Sequence, residues 1–200
     1  MKPILFIDFD GVLCDDRFWR GMGTADYDRI QEFLILGNRP MMDRWMRGGH
    51  SSEEINAYLS EHLDIPYEKL WEVFVNDAKT MNISPEVLSA IGHLRSRYHT
   101  VLITVNMDSL ERFTVPAHRL DTYFDVIVNS YNDGRFKSEE GGQQFLDTAN
   151  SLRASIEFSY LIDDRDNNCE IFKSLGGCAL KVDSDHSTLK HLQALLAQNS

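Results

Sequence analysis

The 200-residue chain is 42% hydrophobic and 26% charged, with 31 acidic against 20 basic side chains and a net charge of −11. Such a chain can bury a sizeable core, and its acidic balance argues against a general nucleic-acid binder or a ligand of anionic membranes, both of which would repel it. The three cysteines (Cys14, Cys169 and Cys178) are odd in number and lack CxxC spacing, so neither a disulfide framework nor a cysteine zinc site is expected.

In chain order, the first apolar run is Pro3 to Asp8, cut by aspartates into MKPILFIDFDG. It reads as a strand and not as a secretory signal, and no window approaches the ~20 apolar residues of a membrane span, so a cytoplasmic location is expected. From Asp10 to Ser84 no strand is legible. Helical patterns occupy Asp26 to Leu36, Ser52 to Leu63 and Tyr67 to Lys79, with Ser51 or Ser52 as the cap of the second. About seventy residues of helix after a first strand exceed an ordinary crossover. They read as a helical cap over the carboxyl ends of the strands, residues 15–80, inserted into a core formed by residues 1–14 and 81–200. The aromatic and methionine side chains here (Trp19, Trp45, Trp71, Met22, Met41, Met42 and Met46) are expected to be mostly cap core, and Phe18-Trp19-Arg20 is a candidate specificity segment.

The remainder alternates regularly. Ser84-Pro85 starts a helix with Val87, Leu88, Ile91 and Leu94 on one face. Strand-length runs follow at Thr100 to Asn106, Asp125 to Ser130, Tyr160 to Asp163 and Ala179 to Asp183. Between and after them lie helical segments at Leu110 to Leu120, interrupted by Pro116, and at Glu139 to Leu152, Asn167 to Leu175 and Ser187 to Leu195. Runs apolar on consecutive positions belong to strands buried on both faces. The expected fold is therefore α/β, a doubly wound, mainly parallel sheet with an inserted α-helical cap.

Polar residues stand where these strands end: Asp8 and Asp10 after the first, Thr104 and Asn106 at the second, Lys137 beyond the third, Asp163 and Asp164 at the fourth. In a doubly wound sheet they share one edge. Four carboxylates there need a counter-charge, and hard oxygen ligands favour Mg²⁺. With the metal present, one aspartate is free to attack phosphorus and a second to move protons, while Thr104 and Lys137 hold phosphate oxygens.

The ordered set DxDGV at Asp8 to Val12, Thr104, Lys137 and DDxxxN at Asp163 to Asn168 resembles the four motifs of the haloacid dehalogenase superfamily, over the whole chain. The resemblance implies that Asp8 is the nucleophile, forming an aspartyl-phosphate, and that Asp10 is the acid and base. It implies Asp8, Asp10, Asp164 and the supporting Asp163 as the Mg²⁺ set, and Thr104, the amide near Asn106 and Lys137 as phosphate ligands. Relatives that cleave carbon–halogen bonds lack an acid at the position of Asp10, so a phosphatase acting on a small phosphate ester is expected. A phosphomutase or a non-catalytic phosphate-binding protein remains an alternative. Ser138 and Arg165 depart from the family pattern without removing a catalytic group. A calcium-loop reading of Asp164, Asp166 and Asn168 fails, because Cys169 and Leu175 stand where Gly and Glu are needed. Substrate identity and oligomeric state are not legible.

Overall fold

The structure, a computed structural model, describes residues 2–198. Five strands, β1 (Ile4–Ile7), β2 (His99–Thr104), β3 (Val126–Asn129), β4 (Tyr160–Asp163) and β5 (Cys178–Lys181), form one parallel sheet in the order β3-β2-β1-β4-β5. This is a doubly wound α/β fold. The chain runs outward from β1 to β3, then returns to the other side of β1 for β4 and β5. The carboxyl ends of β1, β2 and β4 thus meet where the strand order reverses, the crevice in which open parallel sheets bind ligands.

Alternation along β1 builds the two core layers. Leu5 and Ile7 pack with Val87, Leu88, Ile91 and Leu94 of helix α5 (Pro85–Leu94) and with Leu192 and Leu195 of α10 (Thr188–Ala197). Ile4 and Phe6 face the opposite way, where Phe6 meets Phe145 of α8 (Gln143–Ser151) and Phe172 of α9 (Asp166–Ser174) edge-on, at centroid distances of 5.3 and 5.5 Å. The inner strands β1, β2 and β4 are almost wholly buried, whereas the edge strands β3 and β5 are only partly so.

Between β1 and α5 lie α1 (Thr24–Ile30), α2 (Arg39–Met46), α3 (Ser52–Leu63) and α4 (Tyr67–Lys79). They share a separate apolar cluster in which Trp19, Trp45, Leu59, Leu70 and Phe74 are fully buried. Ser51, not Ser52, caps α3: its hydroxyl accepts from the Glu54 amide while the Glu54 carboxylate accepts from the Ser51 amide. The Asp26 to Leu36 segment divides, with α1 giving way to a π-helical stretch over Gln31–Leu36. Helix α2 lies outside the sequence-based expectations. Asn38 caps it and Pro40 occupies its first turn, a start signal that a run as short as eight residues makes easy to miss.

Two other segments differ from expectation for local reasons. The helix expected from Leu110 is π-helical over Leu110–Thr114 and α-helical only in α6 (Val115–His118), because Pro116 offers no amide hydrogen and crowds the carbonyl four residues before it. The helix expected from Glu139 begins only at Gln143, since Glu140, Gly141 and Gly142 all adopt positive φ. Beyond β3 lies a one-turn helix, α7 (Ser130–Asp133), closed by Gly134 in the left-handed region. All three cysteines are free, and no helix among the described residues is long and apolar enough to cross a membrane.

Candidate active site

Parallel pairing sets the positions of the acidic groups. Ile7 is in register with Leu102 and Ile162, so Asp8, one residue beyond β1, lies level with the ends of β2 and β4. Its amide donates to the Ile162 carbonyl at 3.0 Å, extending the ladder by one bond. Thr104 ends β2 and Asp163 ends β4. After Asp8 the chain folds back sharply. The amides of Leu13 and Cys14 return to the Phe9 carbonyl, and Gly11 at φ +75° makes the turn. A Cβ on Gly11 would lie 2.8 Å from Asp164 Oδ2, so only glycine lets this turn press against the end of β4.

Lys137 reaches the same point from the loop after α7. Its side chain is 2% exposed, and its ammonium lies 2.6 Å from Asp8 Oδ2, 2.7 Å from Asp163 Oδ2 and 3.2 Å from the Ile103 carbonyl. Burial alone would lower the Lys137 pKa, but contact with the two carboxylates raises it. Burial pushes the Asp8 carboxyl up to about 7, with Asp163 acting in the same sense and Lys137 opposing both. One ammonium thus serves two carboxylates, which leaves a net negative charge in a buried place.

The remaining polar groups fall into two kinds. Asp163 is fully engaged: Oδ1 accepts from the Arg165 amide and the Asn168 side chain, and Oδ2 accepts from Asn168 and Lys137. Thr104 Oγ1 and Asp164 Oδ1, in contrast, are buried with no hydrogen-bond partner among the described residues. Buried polar atoms are rarely left so; Asp164 lines the crevice, and Thr104 ends β2 at the same edge of the sheet. Carboxylate oxygens of Asp8, Asp163 and Asp164 lie within 4.8 Å of one another. An all-oxygen set with excess negative charge and an orphaned carboxylate oxygen fits a hard divalent cation: Asp164 Oδ1 is open to it, and Asp8, whose Oδ1 accepts from the Phe9 amide and whose Oδ2 meets Lys137, keeps a lone pair on each oxygen, while Asp163 braces Lys137 and Asn168 behind them.

Asp10 stands on the opposite side of the turn. Its Oδ2 accepts from the Asn106 side chain at 3.1 Å, and its Oδ1 lies 3.8 Å from Arg17. Some 48% of the side chain is accessible, but it lines a cavity roofed by α2, and desolvation there lifts its pKa to about 6 against the pull of Arg17. The Asn106 amide is committed to Ser130 Oγ at 3.2 Å, and its side chain positions Asp10. That Ser130 hydroxyl donates in turn to the Met46 carbonyl at the end of α2. The cavity above these groups measures about 550 Å³. Sequence reasoning missed the part played by Gln31, Ile35, Met107 and Phe136 in its wall, because nothing in their local patterns separates a cavity-facing side chain from a core one.

No protein-family model matches the chain. Among curated proteins, mouse acyl-CoA dehydrogenase family member 10 is 27% identical over 176 residues, which is 84% of this chain but 16% of that protein; the chain therefore spans about a sixth of that relative. Solved structures are closer in shape. A predicted HAD-like family hydrolase from Porphyromonas gingivalis matches over 100% of both chains with a TM-score of 0.75 and 21% identity. The HAD family enzyme bt-2542 of Bacteroides thetaiotaomicron, solved with magnesium and inorganic phosphate, matches over 94% of this chain and 97% of its own, with a TM-score of 0.73 and 17% identity. The 2-haloacid dehalogenase of Pseudomonas syringae pv. Tomato covers 100% of both chains with a TM-score of 0.65 and 16% identity. The fold of this chain is that of the haloacid dehalogenase-like enzymes.

Proposed function

We propose that the protein is a Mg²⁺-dependent hydrolase of small phosphomonoesters, with residues 15–80 acting as a cap over the site. The observation that carries this reading is the placement of Asp10: a carboxyl group held by Asn106 at the cavity floor, two residues beyond the buried Asp8. Phosphate esters have a leaving alkoxide that must take up a proton, whereas a departing halide needs none. Mg²⁺ held by Asp8 and Asp164 would offset the carboxylate charge and that of the bound phosphate.

In this mechanism Thr104 Oγ1, otherwise unpartnered, donates to a non-bridging phosphate oxygen, and Lys137 orients Asp8 while neutralising part of the charge around it. A carboxylate oxygen of Asp8 attacks phosphorus as the ester oxygen leaves and takes the proton of Asp10. The aspartyl-phosphate then loses its phosphoryl group to water, whose proton returns to Asp10. Release of free alcohol and inorganic phosphate closes the cycle with atoms and protons balanced. A cytoplasmic location and a small-molecule partner are part of the same proposal.

The test is phosphate release from a panel of phosphomonoesters with and without Mg²⁺, beside halide release from 2-haloacids. Metal-dependent phosphate release, abolished in Asp8→Asn and reduced at least a hundredfold in Asp10→Asn, supports the reading. Halide release without phosphate release overturns it. A phosphomutase would move phosphate between acceptors without freeing it.

A further inference from the structure

The cavity above the acidic groups has an apolar body. From the cap side it is walled by Phe18, Trp19, Ile35, Met42 and Met46, and from the core side by Val105, Met107 and Phe136. The charged groups of the cap wall are partly engaged with one another and with the backbone. Arg17 donates to the carbonyls of Asp15 and Asp16, and Asp16 accepts from the Asn82 amide and pairs with Arg20. Arg39 is 72% exposed and paired with Asp43, which places it at the mouth. Gln31 is the one neutral polar side chain that the described cap residues bring to the wall.

Trp19 shows how the wall is kept apolar. It is held at φ +60°, a conformation that bulky side chains avoid and that persists only where surrounding packing enforces it. Its ring is fixed among Phe18, Trp45 and Phe74, and its one polar atom points away, donating to Asn56 Oδ1 at 3.0 Å inside the cap. On the core side, Arg47 stacks its guanidinium 3.8 Å over the Phe136 ring, which fixes that wall as well. The three methionines supply polarisable side chains that adapt to more than one apolar shape.

We infer that the substrates are phosphomonoesters of apolar alcohols, alkyl or aryl, and not polyhydroxylated sugar phosphates or nucleotides. This rests on the phosphatase reading and specifies its substrate class. Hydroxyl groups entering this cavity would lose their water; away from the apolar walls the neutral polar side chains are Gln31 from the cap and Ser138, Asn167 and Asn168, which flank Lys137 and Asp164 at the acidic end where the phosphate is held.

Hexyl phosphate, benzyl phosphate and glucose 6-phosphate are all esters of primary alcohols, so their leaving groups place similar demands on Asp10. With Mg²⁺, kcat/KM for the hexyl and benzyl esters is expected to exceed that for glucose 6-phosphate by roughly 10²-fold or more. Ile35→Gln, a change at a half-buried wall position, should narrow that ratio about tenfold. Equal turnover of the three, or a preference for the sugar ester, overturns the substrate class while the phosphatase reading stands. A binding measurement separates the two further. In the parent protein with Mg²⁺, hexylphosphonate, whose C–P bond a phosphatase does not cleave, should bind at least tenfold more tightly than methylphosphonate. If no ester is hydrolysed but this difference is found, the apolar cavity stands and the phosphatase reading falls. If the two phosphonates bind alike, the inference is wrong.

Discussion

Arg47, at the end of α2, and Glu139, two residues beyond Lys137, form a two-pronged ion pair, with Nη1 to Oε2 at 2.8 Å. Arg47 also donates to the Gly134 carbonyl, and Glu139 accepts from the Phe136 amide. The end of α2 thereby grips both ends of the loop that delivers Lys137 to Asp8.

That pair has a defined pH signature. The Arg47 guanidinium, with the Phe136 amide, holds the Glu139 carboxyl down at about 2, below its ordinary 4.5. A lowered folded-state value gives stability that is complete above pH 4.5 and lost as pH falls toward 2. Both side chains are about a third exposed, so the pair is worth no more than about 1 kcal/mol. Glu139→Gln should lower the melting temperature near neutral pH and match the parent at pH 2 in calorimetric scans. An unchanged gap across that range would show that the pair does not link cap and loop in solution.

Asp108 ties the loop after β2 to α2 and α3 more deeply. The buried carboxylate accepts from Trp45 Nε1 at 3.0 Å, from the hydroxyl and amide of Ser52, and from Arg112 at 2.6 Å. Asp108→Ala strands several donors and should cost about 3 kcal/mol in urea unfolding, with Asp108→Asn intermediate. Trp45 fluorescence should change in both variants, since its indole loses a charged acceptor.

Gly11→Ala is expected to act through Asp164. The new methyl would contact the Asp164 carboxylate and sit at a positive φ, so about 1–2 kcal/mol of stability should be lost. Titration calorimetry should show Mg²⁺ binding weakened by roughly 10–100-fold. Metal affinity equal to the parent's would remove Asp164 from the metal set.

Lys137→Met keeps the length of the side chain and removes the charge between Asp8 and Asp163. Two buried carboxylates then face each other without an ammonium, and unfolding experiments should record a loss of about 3–5 kcal/mol. Phosphate release should vanish with it. A variant as stable as the parent would mean that Lys137 does not carry the charge balance of the site.

The order of the strands, most of the helices, the parallel α/β class and the residues at the strand ends are written in local pattern. Ile4 to Ile7 are consecutively apolar because both faces of β1 are buried, and polar residues can follow only where the strand leaves the core, which is why Asp8, Thr104 and Asp163 stand out in the sequence. What each of those residues touches is another matter. That Asp163 spends both oxygens on Lys137, Asn168 and the Arg165 amide, that the Asn106 amide is taken by Ser130, and that Asp164 keeps a free oxygen depend on which loops the sheet brings together at its edge. The same holds for the apolar cavity: Met42 and Met46 have the spacing of ordinary core positions on α2, and only the docking of that helix through Ser130, Asp108 and Glu139 turns them toward Asp10. Periodicity reports which side of an element is apolar; long-range hydrogen bonds and packing decide what that side meets.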